Sequence, residues 1–519
     1  MDVSSLSLHD PRQYVPDLVR LEDETLENEH QELKTLNNVY SSTTSEIEKT
    51  SAVPQILATA AVTGFHVVCG VSLGFSAIFI ASVMKEGSDL KLSSTQSAWT
   101  ASVLVLVVPI GALLGGILME AYGRLNAIKM AAIPCAAGWI LVAVGQSFLP
   151  IFIGRILTGI SGGMGTSPAV VYTTEIGRPE IRGALTASGP SLASLGMLII
   201  YGEGAILDWR LCAWLNLIYT FAPIIVMAIW IPESPVWLVT KGRIDEAEKA
   251  LKWLGGNNKT SHKKQLAAMV RSQDMRALTA PNFFQGLKVF LKPTAYKPIA
   301  IMSVLFIFQQ FSGIYMTLFY AINFFEEVGT ELDPNLATVF LGLMRFGMSI
   351  VSTILMKHFG RRKLVIISSL SMAACMTASG LSTMHIKNGG GGTWIPVACI
   401  LGYVCASMIG LLGIPWTMTA ELFPTQIRGL AHGILMSFAH IVMFVTIQYY
   451  FDMLNFFGGA HVLQWFFAVV CIMAAVHVWI FLPETHGVTL SDIEKYFREN
   501  TFYFMYSRKQ ARQTKVTNP

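Results

Sequence analysis

An α-helix needs about 20 residues, at 1.5 Å each, to cross roughly 30 Å of hydrocarbon, and this chain offers run after run of that length with almost no charge. The stretches 1–55, 232–297 and 483–519 hold 22 of the 37 Lys and Arg and 20 of the 33 Asp and Glu, so the rest is nearly uncharged. Only 13% of the residues are charged, about half the share in an ordinary soluble domain. That balance argues against a soluble enzyme and for an all-α, multi-spanning membrane protein.

Apolar runs set against turn and charge signals give twelve spans, at 56–83, 98–119, 129–148, 150–172, 185–207, 211–231, 298–325, 336–356, 364–384, 394–417, 429–451 and 462–482. An even number puts both termini on one side. If that side is the cytoplasm, inner loops and tails carry 31 of the Lys and Arg, and outer loops carry four: Lys85, Lys91, Arg210 and Lys387. The positive-inside rule selects this orientation. The expected domains are an acidic cytoplasmic tail 1–55, a six-helix bundle 56–231, a cytoplasmic central loop 232–297 with amphipathic helices, a second bundle 298–482 and a cytoplasmic tail 483–519. Within the loop, Arg243 to Leu254 has apolar residues at helical spacing.

The acidic N-terminus (Glu22, Asp23, Glu24, Glu27, Glu29, Glu32) has no short apolar stretch after a basic start, which argues against a cleaved signal peptide. The sequon Asn258-Lys-Thr260 falls on the inner side and is expected to be unmodified. Cys69, Cys135, Cys212, Cys375, Cys399, Cys405 and Cys471 lie in or at the ends of apolar runs without CxxC spacing, and read as core residues rather than disulfides or a metal site. No basic run interleaved with aromatics suggests nucleic acid. No metal or other cofactor is expected.

The halves repeat each other. "YTTEIGRPEIRGAL" at 172–185 and "MTAELFPTQIRGLA" at 418–431 each place a Glu seven residues before an Arg-Gly. "PES" at 232–234 and "PET" at 483–485 each close a half's sixth span, and "EAYGR" at 120–124 and "KHFGRR" at 357–362 each follow its second. Three matched motif pairs at corresponding places imply two homologous six-helix bundles.

These residues carry a resemblance. "GR" at 154–155, Glu175 with Arg182-Gly183, "PESPVWL" at 232–238, "QQFSG" at 309–313, "GRR" at 360–362, "IPW" at 414–416, "AELFP" at 420–424 and "PETHG" at 483–487 are together similar to the sugar porters of the major facilitator superfamily, over roughly residues 54–499. Within that family, "WLVTKGRIDEAEKALKWLGG" and "SGPSLASLGML" look most like the insect facilitated trehalose transporter-like group. The resemblance implies the major facilitator fold, twelve transmembrane helices in two pseudo-symmetric bundles that rock about a central site.

It also implies roles. Glu120, Arg124, Glu175, Arg182 and Glu233 in the first half, and Arg361, Arg362, Glu421, Arg428 and Glu484 in the second, would form an inner-face switch. Their pairs would hold the inner ends together in the outward-facing state and separate in the inward-facing one. The plainer reading is headgroup-level charge. Gln309 and Gln310 are paired amides in an apolar span, with donors and acceptors suited to a polyhydroxylated solute. By resemblance they line the sugar site, with Trp416 facing a sugar ring; an interhelical hydrogen bond is the other reading. Arg155 would be a structural partner within the bundle. Gly111, Gly115 and Gly116, and Gly159, Gly162, Gly163 and Gly165, permit close helix approach. His66, His432, His440 and His477 read as polar groups of the interior rather than a proton path.

Several positions depart from the family. Pro190 replaces the fifth-span Gln and Tyr315 the Asn of "QQxSGxN", while Ala439-His440 replaces Asn-Trp. Gly410-Leu411-Leu412-Gly413 lacks the prolines that would make the tenth span bendable. Leu125 stands for a basic residue and Lys357 for an acid. Arg345 replaces an eighth-span Asn near mid-membrane, where a charge costs at least about 2.5–3.5 kcal/mol unless it meets water or a partner. It either faces the cavity, favouring an anionic solute or pairing with a π-face such as Tyr315, or is satisfied by backbone carbonyls. Near Ser76, where proton-coupled relatives carry Asp, there is no acid.

The expected function is a facilitative plasma-membrane carrier of a sugar, trehalose or a hexose, working by alternating access with no covalent chemistry. Its partners would be that small solute and the bilayer, with the oligomeric state left open. Two rival readings use the same scaffold: a carrier of another, possibly anionic, solute, and a transport-dead solute-sensing relative.

Overall fold

The computed structural model describes residues 52–503 except 86, 256–258, 280–288, 330, 425–426 and 501. The sequon Asn258 lies outside these. Six helices come first: α1 (Val53–Met84), α2 (Ser94–Tyr122), α3 (Arg124–Val144), α4 (Phe148–Ile176), α5 (Pro179–Ile206) and α6 (Trp209–Trp230). Three shorter ones follow, α7 (Pro235–Thr240), α8 (Ile244–Gly255) and α9 (Lys259–Thr279). The second half comprises α10 (Pro293–Phe311), α11 (Ile314–Phe319), α12 (Ala321–Val328), α13 (Pro334–His358), α14 (Arg361–Lys387), α15 (Trp394–Ile409), α16 (Ile414–Glu421), α17 (Arg428–Gln448), α18 (Tyr450–Phe456), α19 (Ala460–Phe481) and α20 (Leu490–Glu499).

Local chemistry sets the ends. Ser93 caps α2 in a reciprocal capping box with Gln96, and Asp208 and Asp333 accept from the first-turn N–H groups of α6 and α13. Gly123, at φ +105°, ends α2 and starts α3 with no residue between. Among the described residues eleven helical stretches are long and apolar enough to span a bilayer. The expected seventh span, 298–325, is instead three consecutive helices, α10 to α12, broken at Ser312-Gly313 and at Tyr320. Gly313 sits at φ +90° and a Cβ there would strike the Phe467 ring, so only glycine fits the break. Large apolar side chains face outward, among them Leu113, Ile117, Ile133, Ile218 and Ile354, as lipid contact requires.

Contacts repeat between halves. In the first, α1 lies against α5, α2 and α3 against α4, and α3 against α6. In the second, α10 lies against α17, α13 and α14 against α15, and α14 against α19, so the same spans pair. Across the halves the second span of each meets the fifth of the other: α2 on α17, and α5 on α13. Such an exchange is what a two-fold pseudo-axis produces. Close approach within the first half uses glycine where it matters. A Cβ on Gly111 or Gly163 would hit the backbone of the facing helix, whereas Gly116 faces open space.

Cross-half bonds concentrate at one end. Ser102 Oγ donates to Gln448 Oε1 at 2.6 Å, Trp99 and Phe444 have ring centroids 5.5 Å apart, and Tyr201 donates to the Leu318 carbonyl at 2.7 Å. All lie in the parts of their spans remote from the Arg and Glu motifs. The amphipathic α8 buries Ala247, Ala250, Leu251 and Leu254, with Trp237, Leu238 and Val239 of α7 in the same small core.

Candidate functional site

The polar centre is built where two spans break. The tenth expected span separates into α15 and α16 at Gly410–Gly413 without any proline there, contrary to the stiffness its composition implies. A Cβ on Gly410 would press on the Leu364 backbone, so α14 reaches the break closely. A broken helix in an apolar interior leaves carbonyls that need donors. Gln309 Nε2 supplies them, donating to Leu411 O at 2.7 Å and Leu412 O at 2.9 Å, while Leu411 N donates to Ser368 Oγ. The glycines and this amide do what prolines would have done.

The two glutamines therefore differ. Gln309 also accepts from Gln310 Nε2 at 3.2 Å, and both side chains are fully buried. Gln310 Oε1 has no hydrogen-bond partner among the described residues, an orphan acceptor whose burial costs about 1–3 kcal/mol until something donates to it. Trp416, in the first turn of α16, packs at a tilt on Phe306, with ring centroids 5.0 Å apart, and edge-on to His440 at 5.5 Å. Tyr315 of α11 is near Trp416 and within electrostatic reach of Arg345, and Arg345 of α13 is within such reach of Tyr201 in the first half. Gln309, Gln310 and Trp416 thus gather around α10 and α16, with Gln309 turned to the break.

Arg155 is wholly satisfied inside the first half. It donates to Thr100 O at 3.1 Å, Ser72 O at 2.9 Å and Ser76 Oγ at 2.5 Å, and lies over the Phe75 ring. It ties α1, α2 and α4 together. The histidines hold separate partners: His432 with Thr419 Oγ1, His440 with Met436 O and His477 with Ile301 O. His66 Nδ1 has none among the described residues. One polar pair escaped the sequence reading: Tyr219 donates to Glu203, which lies inside the expected span 185–207. An acid within an apolar run was the available signal.

At the other end from the cross-half bonds, each half carries the same ionic cluster. Arg124 Nη2 lies 2.8 Å from Glu175 and 3.1 Å from Glu120, and Nη1 donates to the Met119 carbonyl. Arg361 repeats this with Glu421 at 3.2 Å and the Met356 carbonyl at 2.7 Å. Glu233 accepts from the N–H groups of Arg124, Leu125 and Ser234, as Glu484 does from Arg361, Arg362 and Thr485. Burial nonetheless leaves the Glu233 carboxyl above the usual carboxylate range. The Ser234 and Thr485 hydroxyls donate to Glu175 and Glu421. Even the outlying arginines match, Arg182 donating to Gly177 O and Arg428 to Phe423 O. A Cβ on Gly123 or Gly360 would overlap the Glu233 or Glu484 carboxylate, which explains the glycine before each arginine. Each ion pair in the two clusters joins residues of one half.

Comparison with known proteins follows this architecture. Residues 40–497 match the family model described as sugar (and other) transporter. The chain is 33% identical over 449 residues to a facilitated trehalose transporter Tret1 of Bombyx mori, covering 85% of this chain and 86% of the relative. It is 32% identical to the Culex quinquefasciatus protein of the same name, covering 85% of each. Among solved structures, the partially occluded inward-open conformation of the xylose transporter XylE from E. coli aligns with a TM-score of 0.68 at 21% identity, over 85% of this chain and all of that one. With motifs, repeat and coverage in agreement, the chain belongs to the sugar transporter family, the sugar porters of the major facilitator superfamily.

Proposed function

We propose that this protein is a facilitative carrier of a sugar, trehalose or a hexose, which crosses the plasma membrane by alternating access, with both termini cytoplasmic. The observation that carries the reading is the meeting of two broken spans at Gln309, Gln310 and Trp416, which brings buried amides and an indole together inside the second half. Unwound backbone and polar side chains at membrane depth are tolerated where they line a site. Gln310 Oε1 is the acceptor left for a solute hydroxyl, Gln309 holds the break that positions it, and Tyr315, Arg345 and Trp416 complete the wall. The relatives named above as trehalose transporters support the solute class.

The ionic clusters are the switch in this reading. With the halves bonded at the opposite end and each cluster closed on itself, the conformation corresponds to an inward-facing state. Arg124, Glu175, Glu233 and their counterparts would meet across the halves when the inner side shuts. Arg155 satisfied by Ser76 with no acid beside it favours uncoupled movement.

The test is uptake of labelled glucose and trehalose by proteoliposomes holding the full chain, with and without an imposed pH gradient. Saturable entry to equilibrium that ignores the gradient is expected. Accumulation above the external concentration, driven by protons, would overturn the uncoupled reading.

A further inference from the structure

Arg345 is the one departure from the family whose surroundings raise a question that the neutral-sugar reading leaves open. It stands in the middle of α13, three residues past Gly342, where α13 and α5 touch: a Cβ on Gly342 would lie 3.0 Å from Tyr201 and 3.1 Å from the Leu198 backbone. The arginine therefore sits one turn from the seam between halves, within electrostatic reach of Tyr201 and Tyr315. Among the described residues no carboxylate forms an ion pair with it. Its Nε and Nη1 are sealed from solvent and have no hydrogen-bond partner among the described residues.

Arg155 makes the contrast sharp. That buried guanidinium donates to two carbonyls and a hydroxyl and is fully spoken for. Arg345 shows no such set, so the backbone-satisfied reading does not describe it. A cation at this depth costs at least about 2.5–3.5 kcal/mol when unpartnered, and guanidinium, which stays charged, cannot escape by losing its proton. A planar fork of N–H donors is geometrically matched to a carboxylate, which it binds in bidentate fashion. The Tyr315 hydroxyl can donate its hydrogen to the same anion, whereas that of Tyr201 is already given to the Leu318 carbonyl. Tyr315, near Trp416 and within electrostatic reach of Arg345, lies between a charge-binding end at Arg345 and a hydroxyl-binding end at Gln310 and Trp416 in this reading.

We propose that the central site takes a sugar bearing a carboxylate, with the carboxylate on the Arg345 guanidinium and the ring between Trp416 and Gln310. This rests on the sugar-carrier reading and narrows it to an acidic monosaccharide. The charge pair would lie close to where α13 of the second half meets α5 of the first.

Two measurements separate this from the broader reading. The first is thermal stabilisation of the detergent-solubilised full chain by glucuronate or by glucose, which reads binding without requiring transport. Glucuronate is expected to stabilise at a concentration at least tenfold below glucose, and Arg345→Gln to erase that preference. Arg345→Lys, which keeps charge but loses the fork, should restore part of it, showing that lost preference in the glutamine variant is not lost folding. The second is competition of both sugars against labelled glucose uptake in proteoliposomes. Glucose uptake that glucuronate does not inhibit, or an equal preference in native and Arg345→Gln protein, would overturn the acidic-sugar proposal while leaving a sugar carrier standing. Glucuronate-specific stabilisation with no uptake of any sugar would support the site and overturn the carrier.

Discussion

The two ionic clusters share a blueprint but are not equally built. In the first half Arg124 donates from Nε to both Glu175 oxygens as well as from Nη2, and gains Glu120 one turn back. In the second, Arg361 reaches Glu421 through Nη2 alone, its Nε is buried without a partner among the described residues, and the position matching Glu120 is Lys357. Side chains of the first pair are 7% and 14% exposed, those of the second 20% and 31%. The second cluster compensates sideways: Arg362 donates to the Trp479 carbonyl at 2.6 Å and lies over the Tyr503 ring, where the first half has buried Leu125. A repeat thus keeps the geometry that seats a carboxylate on two backbone N–H groups, while the charge around it drifts. The first cluster is the more tightly bonded of the two.

The largest effect expected from this difference is at the arginines. Arg124→Ala strands Glu175, a buried partner, and breaking such a pair costs roughly 3–5 kcal/mol, enough to abolish uptake. Arg361→Ala removes a pair that is more exposed and held by fewer bonds, costs less than the first, and should leave a folded protein with reduced uptake. Parallel thermal unfolding and uptake of the two variants checks the order, and equal losses would break the contrast. Next come the glycines. Gly123→Ala and Gly360→Ala both push a carboxylate from its seat, but Gly123 is at φ +105° and Gly360 at −65°. The first should therefore be worse by about 1–2 kcal/mol, read as a midpoint shift in the same unfolding assay. The smallest effect is Lys357→Glu, which gives Arg361 the acid its counterpart has. A gain of about 0.3–0.5 kcal/mol is expected, and no gain would mean that the missing acid does not account for the looser cluster.

Much of this was legible beforehand because lipid imposes simple rules. Apolar runs mark helices, and the repeated Glu and Arg-Gly motifs mark the clusters, since the same residues rebuilt the same bonds in each half. What escaped was decided by close contact. The break at Gly313 depends on the Phe467 ring occupying the place of a Cβ, and Phe467 is more than 150 residues away in the chain. The bend at Gly410–Gly413 looked lost with its prolines, yet Gln309 restores it from another helix. The amide pair was visible; that one amide serves the backbone while the other keeps an acceptor without a partner among the described residues was not.

The central claim is that both bundles cycle around one sugar site without an external energy source. Counterflow tests it most directly: proteoliposomes preloaded with unlabelled glucose are diluted into a trace of labelled glucose, and internal label is followed in time. The account predicts a transient overshoot of label that decays to equilibrium, abolished by Arg124→Ala. Label that rises to equilibrium at the rate of empty liposomes, or not at all, would contradict it.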